Sequence, residues 1–321
     1  MYLRIKKIFL SELETGVGKR MQRVRSINLG FAALVILTVL VAPVRPAFSL
    51  SLEKIEEIVP LGTDTGLLGP SGLWFDEFRG FLIVADTEAH QVLVVDRHGN
   101  VRKTLGQGGR LRFPQAVAAD RGGTLFIAER ESEVLKVAAP YDSAVTEAYQ
   151  PIDLSPFRRK RPVEPVALFV DRDNNLLVAD RGNRQVLVIG PDRKLRLALP
   201  DVGEPADLWS SPGKILVADP GFGGIRVYDD RGRWLRTLGT DPARFPAPLR
   251  AKSLAVDLRE RVWVVEETGG IRALDSLGNP LFSGASGTLF APVDLAVDSQ
   301  NQLYVLERGG GRISVFRINE F

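Results

Sequence analysis

Six acidic residues close six similar apolar runs, and they are the side chains whose type and spacing most invite chemistry. Asp86 ends LIVAD, Glu129 ends LFIAE, Asp180 ends LLVAD and Asp219 ends ILVAD, while Glu266 and Glu307 end the weaker copies VWVVE and LYVLE. If the runs are equivalent strands, the six acids share one face of the molecule, where they could hold a cation or a basic peptide. The competing reading is that each carboxylate accepts backbone N–H bonds in the loop that follows, as Asp commonly does in turns. Glu does this less readily, which singles out Glu129, Glu266 and Glu307 as the stronger functional candidates. Arg130, Arg181, Arg184, Arg308 and Arg312 stand in the same loops. They make a mixed-charge rim, and exposed pairs there add little stability. Phe222, within DPGFGG, offers an apolar contact either to a partner or to its own blade.

The elements that would place these residues repeat with them. In Val170–Ile189, VDRDNNLLVADRGNRQVLVI, a strand end, a turn cluster, a second strand, a polar loop and a third strand follow one another. Six copies can be found, opened by Pro70, Pro114, Pro165, Pro205, Pro248 and Pro292. Their spacings of 44, 51, 40, 43 and 44 residues suit a propeller blade of about 40–45. The second strands are nearly continuous in Leu, Val and Ile, so both faces should be buried. DRHGN at 96–100, DDRGR at 229–233 and DSLGN at 275–279 read as hairpins, with Asp favouring the turn and Gly supplying positive φ. The longest spacing points to an insertion around 141–161 carrying Pro151, Pro156 and the basic run Arg158–Arg161, expected as an exposed loop.

Residues 1–49 are different in kind. Lys19, Arg20, Arg23 and Arg25 precede the apolar run 29–41, and Ala47-Phe48-Ser49 supplies small residues for cleavage. This is the order of an export signal, with Met21 a better start than Met1 and cleavage expected after Ser49. The run falls short of the roughly 20 apolar residues of a spanning helix, so membrane attachment would come only from leaving the signal uncleaved. The expected address is periplasmic or extracellular, and 50–321 is expected to be one domain. Residues 1–49 hold eight Lys or Arg and two Asp or Glu, leaving 34 basic and 37 acidic residues beyond them. That balance lacks the basic footprint of a nucleic-acid partner.

With no cysteine, disulfides, thiolate metal sites and cysteine nucleophiles are excluded. His90 and His98 are the two histidines, too few for a histidine-rich zinc centre. No cofactor is expected, although calcium, which takes oxygen ligands, stays open. No G-x-S-x-G elbow is present to support a serine hydrolase. The glycine-rich stretches RGGGR at 308–312 and DPGFGG at 219–224 lack the spacing of a phosphate loop.

The segment IEEIVPLG at 55–62 ends in the same Leu-Gly as the fourth-strand segments VRKTLG and WLRTLG, whereas the sixth repeat stops after its third strand. The N-terminal strand is therefore expected to complete the last blade, leaving no open edge. Repeats such as PVDLAVDSQNQLYVLERGGGRISVF, 292–316, resemble NHL repeats. That resemblance covers 52–321 and implies an all-β, six-bladed β-propeller of four-stranded blades. As to function, the expectation is a non-catalytic binding or scaffolding module for a protein, peptide or small ligand. The alternative is a carboxylate-metal enzyme of the lyase or lactonase kind.

Overall fold

The computed structural model describes residues 50–60, 66–141, 148–199, 202–285 and 287–320; the export signal read over 1–49 lies outside them. The strands form six four-stranded antiparallel sheets. Blades one to five take consecutive strands from the inside out, beginning with Pro70–Asp76, Pro114–Ala119, Pro165–Val170, Asp207–Ser211 and Ala251–Val256. Blade six contains Pro292–Val297, Gln302–Glu307 and Arg312–Glu320, and Leu50–Ile58 pairs antiparallel along its outer side. The inner strands pack each beside the next, and that of blade six returns to that of blade one. The propeller and its N-terminal closing strand are thus as expected.

Burial explains why these segments are strands. Leu176–Asp180 and Gln185–Ile189, the second and third strands of blade three, are buried throughout. Only a sheet covered on both faces accepts such continuous apolar runs. The apolar side chains gather in six clusters, each between two successive blades, as where Leu216, Ile225 and Leu238 of blade four meet Leu254 and Val264 of blade five. The hairpins repeat one device. Oδ1 of Asp96 accepts the N–H groups of His98 and Asn100, and Oδ1 of Asp275 accepts those of Leu277 and Asn279. The glycines at 99 and 278 take φ values of 87°.

Two expectations need correction. Blade five is opened by Ala251, which pairs with Glu266 as Pro70 pairs with Asp86; Pro248 lies in the preceding loop. As expected, the sixth repeat's third strand, Arg312–Glu320, is its last and takes the N-terminal strand as its partner. The insertion at 141–161 is not simply an exposed loop. Tyr149–Asp153 is the fourth strand of blade two, a 3-10 turn follows at Ser155–Phe157, and Tyr141 is buried with its hydroxyl bonded to Asp76. The basic run itself is held to blade three, because Oδ1 of Asn183 accepts the N–H groups of Arg159, Lys160 and Arg161 at 2.9–3.1 Å.

Candidate active site

The inner strands begin where the second strands end, so the six sequence-predicted acids do share one face of the ring. They lie beneath its surface, however: Asp86, Glu129, Asp180, Asp219 and Glu307 are all buried. The oxygens of these five hold the loops that enter their blades. Asp86 accepts the N–H of Leu68, Asp180 that of Glu164, Asp219 those of Gly203 and Glu204, and Glu307 that of Phe290, at 2.6–2.9 Å. Glu129 does the same for Arg112.

The side-chain partners of the acids differ with their length. Beside Asp86 and Asp180, the third strand opens with Gln91 and Gln185, whose amides reach the carboxylates. Beside Glu129 and Glu266 the partner is a cation further along that strand, Lys136 at 3.0 Å and Arg272 at 3.1 Å, and beside Glu307 it is the Ser314 hydroxyl. The longer carboxylates reach deeper partners.

The candidate arginines are mostly engaged as well. Arg130 pairs with Glu88 at 3.4 Å, Arg181 pairs with Glu164, and Arg312 bridges Glu57 and Glu307. Arg184 donates to the Gly203 carbonyl at 2.8 Å, and Arg308 to that of Pro70 at 3.1 Å. Phe222 is exposed, with the Arg226 guanidinium 4.4 Å from its ring centre. The glycines of 308–312 permit a close approach: Gly311, at φ 58°, accepts the Leu67 N–H, and a Cβ there would stand 2.6 Å from the Leu67 carbonyl oxygen. His90 accepts the Phe113 N–H through Nδ1, and His98 sits in its hairpin.

Ionisable groups converge instead in the central channel, in a chamber of about 270 Å³. Register places Gly72, Ala116, Ala167, Asp207, Ser253 and Asp294 in one layer, each opposite the residue that precedes its blade's acid. Three blades give this layer small residues, and at Gly72 a Cβ would press to 2.8 Å from the Gln115 carbonyl oxygen. The other three blades put two carboxyls around a hydroxyl. Ser253 bonds to Oδ1 of Asp294 at 2.5 Å and also to Asp207. Oδ2 of Asp294 accepts the Leu73 N–H at 2.6 Å, and Oδ2 of Asp207 accepts that of Leu254 at 2.8 Å. The acids therefore join blades four, five, six and one around the channel.

Enclosure by the blades pushes the carboxyl pKa of Asp207 up, and that of Asp294 further up, because burial and then the neighbouring Asp207 charge both oppose its ionisation. Two carboxyls so placed hold a proton between them at neutral pH. On the side of the layer where the inner strands begin stands Lys252, its ammonium 3.3 Å from the Pro292 carbonyl. On the other side the channel is lined by Trp74, Phe169 and Trp209, with ring centres 5.3 and 6.2 Å apart in succession. Beyond these rings lies a second cavity of about 620 Å³.

Among the described residues, no three His, Cys, Asp or Glu side chains gather as a metal-binding group. Calcium takes six to eight oxygens, whereas the channel offers two carboxyls that already accept hydrogen bonds. Among the described residues, the calcium left open by the sequence therefore finds no fitting donor set.

No protein-family model matches the chain, and no curated protein matches its sequence. Solved structures do match. A streptogramin B lyase aligns with a TM-score of 0.59 at 12% identity, over 84% of this chain and 98% of that one. A gluconolactonase from Xanthomonas campestris aligns at 0.61 and 17%, over 83% and 99%. A virginiamycin B lyase from Staphylococcus aureus aligns at 0.59 and 14%, over 85% and 89%. The likeness is one of fold, the six-bladed β-propeller. The expected non-catalytic scaffold is nevertheless corrected, since these similar propellers are enzymes and the convergent acids of this chain line its channel.

Proposed function

We propose that this chain is an enzyme acting in its central channel, by acid–base catalysis, on a small molecule with a lactone or ester bond. The observation that carries the reading is the pair Asp207 and Asp294 meeting at Ser253 within the chamber. In the proposed reaction, the Asp207 carboxylate takes a proton from water as the water oxygen bonds to the carbonyl carbon. Protonated Asp294 gives its proton to the oxygen that leaves when the carbon–oxygen bond breaks. One water is added, and proton exchange within the pair restores its starting state. Unequal pKa values divide such a pair into acid and base. Ser253 positions both groups, and Trp74, Phe169 and Trp209 provide an apolar floor for the substrate's ring. At about 270 Å³ the chamber lies just below the 300–1,000 Å³ usual for small-molecule sites, which favours a compact substrate. The blades are taken to be of NHL type, on the pattern of residues 165–189 and 292–316.

The test is proton release from a panel of lactones and simple esters, with D207N and D294N compared at matched folded concentration. Acid–base groups typically contribute about 10²–10⁴-fold, so each variant should lose that much turnover, and a chelator should change nothing. Wild-type inactivity across the panel, or undiminished turnover in both variants, would refute the proposal.

A further inference from the structure

On the face where the inner strands begin, one contact recurs. In blades two, three, five and six, the residue following the second strand's acid donates its N–H to the carbonyl of the residue just before the inner strand. In blade three these are Arg181 and Glu164, whose backbones and side chains both bond. In blade five the signs are reversed, with Glu267 bonded to Arg250 at 2.5 Å. Blade six has Arg308 opposite Ala291, joined through the backbone alone. Arg308 turns instead to the Pro70 carbonyl at the start of blade one's inner strand.

Close to it is Lys252, whose ammonium is bonded to a strand-opening carbonyl, that of Pro292, the residue after the Ala291 that the Arg308 N–H meets. Among the described residues neither cation forms an ion pair with a carboxylate, although the Glu267 charge reaches Lys252. Burial, followed by the Arg308 charge, depresses the Lys252 pKa, so the two cations feel each other. Two like charges are thus held together over a chamber that Lys252 itself lines. An anion placed between them would gain two charge-assisted bonds and relieve their repulsion.

We propose that Lys252 and Arg308 bind an anionic oxygen group, so that the molecule taken into the channel carries a carboxylate or phosphate at its outer end. This rests on the channel being the active site, and it names the class of compound: an acidic lactone or ester held by its charge at the mouth while its reacting bond lies at the acid pair.

Binding can be tested apart from turnover. Succinate and inorganic phosphate serve as probes in calorimetry at constant ionic strength, with wild type, K252M, R308M and D207N. At least one probe should bind wild type and D207N alike, and each cation variant should weaken it about tenfold or more. The preferred probe tells carboxylate from phosphate. No binding of either probe to wild type, or binding to K252M and R308M as tight as to wild type, overturns the proposal. Thermal unfolding checks that both variants fold, and each removes only one bond to a carbonyl. If anions bind but no ester is cleaved, the catalytic reading fails while the anion site stands.

Discussion

Asp207 and Asp294 are the residues on which the functional reading turns, and their environment dictates a pH dependence. Both carboxyls are pushed up in the folded protein, while in the unfolded chain they ionise near the ordinary value of about 3.9. Above that value the native state holds protons that the unfolded state has released. Their contribution to stability is therefore full below the unfolded pKa and is lost as pH climbs through the raised values. Melting temperatures measured from pH 5 to 9 should fall more steeply for wild type than for D294N, which has no such proton to lose. A second residue-scale prediction concerns Asn183. N183A removes the acceptor that holds three consecutive N–H groups of the basic run. Trypsin should then cut within Arg158–Arg161 about fivefold faster or more, as a lost hydrogen-bonding partner of about 1 kcal/mol implies.

At the scale of the strand, the blades were readable from sequence because local chemistry repeats: apolar runs, an acid at the end, and Asp and Gly in the hairpins. The acid pair was harder to see. Asp207 and Asp294 lie in PADLW and PVDLAV, where each looks like an ordinary loop-edge Asp. The signal was positional, since the same place in blades one to three holds Gly72, Ala116 and Ala167. A charged residue in an innermost strand that elsewhere admits only small side chains marks a site. The six strand-ending acids were conspicuous because they repeat, and the buried backbone bonds of five of them show that repetition reflects the shared needs of a blade. Their lengths make a prediction of their own. E307D should fall short of Ser314 and the Phe290 N–H, costing about 1–3 kcal/mol in urea unfolding. Activity in the channel should be little changed.

The whole molecule depends on the joint between its first and last strands. Leu50–Ile58 is paired along almost its full length with Arg312–Glu320, with a break in register near Ile55. It also covers the outer side of blade six, where Ile58 is buried beside Ile313 and Val315. Deleting 50–58 should open that edge and turn a single cooperative melt into a lower, broader one. Size-exclusion chromatography would show association through the exposed strand.

That joint also sets a timetable. Glu57 and Arg312 bond across 255 positions of chain, so the first strand is made long before its partner exists. At a synthesis rate of about 5–20 residues per second, it waits roughly 13–50 s. During that interval Leu50 and Ile58, buried in the finished ring, have nothing to cover them. A nascent chain that stalls before Arg312 leaves them uncovered indefinitely, giving chaperones and proteases a ready mark of an incomplete product.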